Sequence, residues 1–79
     1  QAGHYRVKAT TEIVDFNAAF GTHFSDEEFD TVGGMVIHRL GRMPRRGEVV
    51  QIDNLRIQVL RADSRRVHTL LVDRPQVAS

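Results

Sequence analysis

The hydrophobic period of this chain changes partway along it, and that change constrains the fold more than any other feature. Ile13, Phe16 and Phe20 recur at helical spacing, as do Val32, Met35, Val36 and Leu40, each set marking one face of a 3.6-residue repeat. In the last third the period becomes two. Val50 and Ile52, then Leu55, Ile57 and Val59, alternate with polar neighbours, as strands with one buried face do. Tyr-Arg-Val-Lys-Ala at 5–9 alternates in the same way and predicts a half-buried strand ahead of the first helix. The expected order is strand, helix, helix, three-stranded meander. That is an α+β domain, a small and mainly antiparallel sheet with short helices packed on one side.

Punctuation between these segments refines their limits. Thr10 and Thr11 offer a cap to a helix over 12–20, and Gly21 supplies its stop. Ser25 and Glu28 have the spacing of a capping box, which predicts a turn of helix from Ser25. Thr31 is placed to cap a second helix over 32–40, Gly41 to end it in the left-handed conformation, and Pro44 to prevent its resumption. Pro44-Arg45-Arg46-Gly47 reads as a tight turn and Asp53-Asn54 as a hairpin turn. After a connection at Ala62-Asp63-Ser64-Arg65, the stretch Val67–Val72 is apolar on both faces apart from His68 and Thr69, which suits a central strand. Residues 1–4 and 76–79 are expected to be flexible ends of a single domain.

With 79 residues the chain has room for one small core, burying about 60% of the surface it exposes when unfolded. The absence of cysteine removes disulfides and thiolate metal sites and is usual inside cells. Eleven basic and ten acidic residues give a net charge of +1, a balance that argues against nucleic acid as a partner. No apolar run approaches the roughly 20 residues of a membrane span, and no signal peptide is visible. The chain begins at Gln1 and reads as a module of a longer protein. His4, His23, His38 and His68 are scattered, and Ser25 and Ser64 fall in cap and turn contexts. No catalytic residue is assigned.

Three clusters invite a functional reading. Gly33-Gly34 stands where a helix N-terminus would admit a phosphate. However, Asp26, Glu27, Glu28 and Asp30 precede it, and neither the P-loop nor the dinucleotide glycine pattern is present, so close backbone packing is the favoured reading. Arg39, Arg42, Arg45 and Arg46 are candidate contacts for an acidic partner, an anionic lipid surface or a nucleotide phosphate. The plainer and favoured reading is a solvated helix end whose cations meet the C-terminal dipole. The acidic run has the oxygen ligands Mg²⁺ prefers but no EF-hand spacing, and first-turn acids stabilise a helix in any case; no metal site is assigned.

"DTVGGMVIHRLGRMPRRGE" at 30–48 and "ADSRRVHTLLV" at 62–72, preceded by "YRVKATTEIVDFNAAFGTHFSDEE" at 5–28, resemble the CorC/HlyC transporter-associated domain. The likeness rests on the ordered series Asp30, Thr31, Gly33, Gly34, Gly41, Pro44, Gly47, Arg65 and Arg66. It implies a non-enzymatic C-terminal regulatory module of a bacterial magnesium and cobalt efflux or haemolysin-like protein. The implied neighbours are CBS modules of the same parent chain and a membrane transport component. A second copy of the domain is expected on physical grounds instead, from a small core and a sheet edge that two short helices leave open. The implied location is cytoplasmic, at the inner face of the membrane through the parent. The resemblance implies no cofactor of the domain's own. Its fold is grouped with part of certain FAD-binding domains, which makes a flavin or adenine-nucleotide module the rival expectation.

Overall fold

Strand β1 (His4–Lys8), helices α1 (Ile13–Phe20) and α2 (Val32–Leu40), and strands β2 (Val49–Ile52), β3 (Leu55–Ala62) and β4 (Val67–Asp73) follow one another in a computed structural model that describes residues 3–74. The four strands form one antiparallel sheet in the order β1-β4-β3-β2. The expected meander is therefore present, with β4 in the centre. β1 reaches it from the far end of the chain, pairing Tyr5 with Val72 and Val7 with Leu70. His4 pairs with Asp73, so the ordered strand starts inside the expected flexible end. Residues 76–79 lie outside the described residues.

Both helices cover one face of this sheet. Ile13, Phe16, Val32 and Val36 meet Ile52, Ile57, Val59, Leu70 and Val72, all at 1% exposure or less. Removing a side chain of this size from water contributes about 1.5–3 kcal/mol, so the alternation of period two and the helical stripe together account for the core. Phe16 also stacks with Phe20 at 4.5 Å and with Phe24 at 6.1 Å, and Tyr5 meets Phe20 edge-on at 5.4 Å. Arg74 closes this side: its guanidinium reaches the Phe20 carbonyl at the end of α1 and lies 5.5 Å above the Phe20 ring.

Three local expectations need correction. Thr10 and Thr11 do not cap α1; the N-cap is Glu12, and its side chain makes no capping bond. The Ile13 amide donates instead to the Asp30 carbonyl at 2.8 Å, and the Val32 amide donates to the Thr11 carbonyl at 2.9 Å, flanking a bridge between Glu12 and Thr31. Ser25 starts no helix: its hydroxyl accepts from the Glu27 amide at 3.2 Å within a bend. The chain must stay open there for Asp30 and Thr31 to reach the start of α1. Asn17 organises this passage, its amide oxygen accepting from the Thr22 hydroxyl and the Phe24 amide while its Nδ2 donates to the Phe24 carbonyl. The turn after Pro44 falls one residue later than expected. The Glu48 amide donates to the Arg45 carbonyl, and Gly47 takes φ 93°, the left-handed region a third turn residue reaches most cheaply as glycine.

Thr31 does cap α2, accepting from the Gly34 amide at 3.1 Å, and Gly41 ends the helix at φ 76°. The close approach lies at Gly33. Its amide donates to the Ala9 carbonyl at 2.9 Å, and a Cβ there would stand 2.9 Å from Ala9 Cβ and 3.0 Å from Ala9 O. At Gly34 a Cβ would meet Phe29 Cβ at 3.3 Å and Thr31 Oγ1 at 3.4 Å. Gly33→Ala is therefore expected to destabilise the domain by about 1–3 kcal/mol through overpacking. Gly34→Ala should stay within about 1 kcal/mol of the parent, its tighter contacts offset by better helix propensity. Urea midpoints of the three proteins check the order; equal midpoints for the two variants would remove the Ala9 contact from the account.

Candidate functional site

The glycine pair comes first, because its amides decide the phosphate question. Val32 N–H is given to Thr11, Gly33 N–H to Ala9 and Gly34 N–H to the Thr31 hydroxyl. These are the donors that a helix N-terminus would otherwise turn toward an anion. All are engaged within the domain.

The four candidate arginines are not equivalent. Arg39 lies exposed in the last turn of α2, where its charge meets the helix dipole favourably. Arg42 forms a forked pair with Glu48, Nη1 donating to Oε2 at 2.9 Å and Nη2 to Oε1. Glu48 also accepts from the Arg45 amide, so one carboxylate ties the end of the α2 connection to the start of β2. The Arg42 guanidinium, then the Arg45 amide, hold the Glu48 carboxyl down at about 2, and the same pairing raises Arg42. Arg45 and Arg46 keep exposed side chains with no carboxylate in ion-pair range among the described residues.

A second carboxylate organises the loop opposite. Asp63 Oδ1 accepts from the amides of Arg65 and Arg66, at 2.7 and 2.9 Å, and its Oδ2 lies 2.8 Å from His68 Nε2. The His68 hydrogen bond first, then the two amides, lower the Asp63 carboxyl to about 2. Between the two loops lies an open cavity of about 300 Å³, lined by apolar Met43, Pro44 and Ala62 and by polar Arg45, Arg46, Asp63 and Ser64. Arg65 and Arg66 thus define the loop beside the cavity by their amides, while Asp63 and Glu48 were not among the expected site residues. Their signals, an Asp two residues before an amide and a Glu after a turn glycine, are short and common.

The acidic run does not converge. Glu28 approaches His38 at 3.4 Å, and among the described residues no three His, Asp or Glu side chains come together as a metal-ligand set. The sheet face away from the helices carries Arg6, Lys8, Gln51, Arg56 and Arg61, all exposed, around half-buried Leu71 and Gln58. No helix among the described residues is long and apolar enough to cross a membrane.

The described residues thus form a four-stranded antiparallel sheet with two short helices on one face, an α+β domain. The family model for the transporter associated domain, CorC_HlyC, matches residues 1–76, and the chain belongs to that family. It is homologous to the C-terminal region of the magnesium and cobalt efflux protein CorC. The Escherichia coli K12 protein of that name is 54% identical over 63 residues, covering 80% of this chain and 22% of its own length. The Vibrio cholerae protein is 55% identical over 73 residues, covering 92% and 25%. This chain thus spans about a quarter of the curated relatives it matches. Among solved structures, a Mg²⁺ and Co²⁺ transporter (CorC)-associated region from Neisseria meningitidis MC58 is 51% identical with a TM-score of 0.92, covering 95% of this chain and 93% of that one. A hemolysin domain from Enterococcus faecalis V583 is 26% identical with a TM-score of 0.85, covering 96% and 93%. A Xylella fastidiosa hemolysin domain described in complex with Mg²⁺ and Mn²⁺ is 26% identical, with a TM-score of 0.82 over 92% and 89%. The family is transporter-associated and is not a known catalytic one.

Both loop carboxylates have folded values below their unfolded ones, so the stability they add is present above the ordinary carboxylate range and is lost as pH falls toward about 2. Thermal midpoints should therefore drop between about pH 4.5 and 2. Glu48→Gln and Asp63→Asn should each flatten that slope. An unchanged slope in the double variant would exclude these loops as its origin.

Proposed function

We propose that the domain is a non-catalytic regulatory and interaction module of a bacterial magnesium and cobalt efflux protein. It would act at the cytoplasmic face of the membrane by contact with CBS modules of the same parent chain. The observation that carries this reading is the open sheet face. Among the described residues the sheet is covered on one side only, and the other carries Arg6, Lys8, Arg56 and Arg61 around half-buried Leu71 and Gln58, a mainly basic and polar surface suited to a neighbouring acidic one. The remaining three quarters of the relatives' length supplies candidates for that surface. Titrating the parent's CBS pair into the ¹⁵N-labelled domain, with and without Mg-ATP, should shift amides of β1, β3 and β4 that flank this face. The double variant Arg6→Glu, Arg56→Glu should weaken binding at least about tenfold, and more at low salt. Binding that shifts only α1 and α2 amides, or an unaffected variant, would overturn the assignment of the face. Sedimentation velocity of the domain alone separates this contact from a homodimer formed along the exposed edges of β1 or β2.

Divalent-cation binding is a second reading, favoured by the Xylella relative described with Mg²⁺ and Mn²⁺. Here the acidic run offers Glu28 beside His38 and little else in common reach. Isothermal titration with Mg²⁺ is expected to give weak binding, in the millimolar range typical of loosely organised sites or weaker. A micromolar stoichiometric site lost on Asp30→Asn would reverse that expectation.

A further inference from the structure

We propose that the cavity between the 45–48 turn and the 62–66 loop binds a phosphate group, held by the guanidiniums of Arg45 and Arg46 and the hydroxyl of Ser64. Charge accounts for the choice of an anion. The cavity region contains two carboxylates against Arg42, Arg45, Arg46, Arg65 and Arg66, so positive charge is in excess, and both carboxylates already accept protein donors. Glu48 is paired with Arg42 and with the Arg45 amide. Asp63, which itself lines the cavity, accepts two backbone amides at one oxygen and lies against His68 at the other. Arg45 and Arg46 line the same cavity, are exposed, and have no ion-pair partner among the described residues. Arg65 and Arg66 follow directly on the loop, also exposed, and add to the positive field at its mouth.

Geometry accounts for the choice of phosphate. A guanidinium is a planar fork of donors suited to bidentate contact with carboxylate or phosphate. Two forks and a hydroxyl exceed what one carboxylate accepts, whereas a phosphate monoester offers three strongly accepting oxygens and close to two charges. The backbone on both sides of the cavity is positioned before any ligand arrives. The Glu48 carboxylate holds the turn, the Asp63 carboxylate holds the loop, and buried Pro44 with Met43 and Ala62 supplies the apolar part of the lining. At about 300 Å³ the cavity is at the lower limit of small-molecule sites. It has room for a phosphate or pyrophosphate head, and being open it lets the rest of a larger ligand extend into solvent. The phosphate can belong to a soluble metabolite or to a lipid headgroup. The proposal does not depend on the regulatory reading, because it uses a different surface from the open sheet face.

The test uses the 79-residue chain and two probes, inorganic pyrophosphate and phosphatidylcholine vesicles with or without phosphatidic acid. In ¹H–¹⁵N spectra, pyrophosphate is expected to give saturable shifts confined to residues 45–48 and 62–66. Arg45→Ala, Arg46→Ala should weaken it at least about tenfold, whereas Arg56→Ala on the sheet face should leave it unchanged. Saturable binding of pyrophosphate supports a soluble ligand. Co-sedimentation with phosphatidic acid vesicles alone, abolished by the same double variant, supports a headgroup. Both arginines are exposed, and matched thermal midpoints confirm that the variant is folded. Shifts reproduced by sodium chloride at equal ionic strength, an equal loss in Arg56→Ala, or no response to either probe would overturn the site.

Discussion

Each helix begins on hydrogen bonds supplied by the segment that leads into the other. Ile13 donates to Asp30, Val32 to Thr11 and Gly33 to Ala9, all between 2.8 and 2.9 Å. Helix N-termini leave amides that need partners, and here the pairing is reciprocal, so neither helix can dock correctly without the other. Ala9 joins this knot to the sheet, its own amide donating to the His68 carbonyl at 3.0 Å. The arrangement tolerates no Cβ at Gly33 without displacing Ala9. Removing that freedom would disturb the seating of α2 and, with it, the burial of Val32, Met35 and Val36.

The same knot settles what the glycine-rich segment contributes. Its amides are engaged internally, and six acidic side chains lie between Glu12 and Asp30 with no lysine or arginine among them. An anion meets repulsion there and finds few donors. At the other loops the roles reverse: Glu48 and Asp63 accept backbone amides and pair with Arg42 and His68, while Arg45 and Arg46 stand in no ion pair among the described residues. Arginine in this chain therefore does two kinds of work. Arg42 and Arg74 fasten loop and helix ends, whereas Arg45 and Arg46 face solvent across a cavity.

How far the sequence revealed this follows from the range of each interaction. Periodicity is local and repeated, so both helices, the Asp53-Asn54 hairpin and the central place of Val67–Val72 were legible. Thr31 and Gly41 were legible because a cap acts within a few residues of itself. Thr10 and Thr11 misled because the donor they should have capped was taken by Asp30, seventeen positions beyond Ile13. Asn17 sits mid-helix by period, yet its side chain folds the 22–24 segment over Phe16, which no spacing rule announces. The arginine run was visible as a run. Its division into paired and unpaired members was not, since it depends on where Glu48 comes to rest. The loop that completes the cavity lies some twenty residues further along.

A net charge of +1 describes the chain as a whole and conceals how that charge is arranged. Residues 12–30 carry Glu12, Asp15, Asp26, Glu27, Glu28 and Asp30 and no cation, whereas residues 39–66 carry eight arginines against Glu48, Asp53 and Asp63. Two of those three acids are held within their own loops. At physiological ionic strength a charge is felt over about 8 Å, so only the nearest charges decide what a partner meets. The two groups touch at one point, where Glu28 lies 3.4 Å from His38, the residue before Arg39. At the cavity loops Arg45, Arg46, Arg65 and Arg66 stand beside carboxylates that already accept protein donors. Near-neutral composition therefore sets no limit on charge-driven recognition at those loops, and salt weakens it.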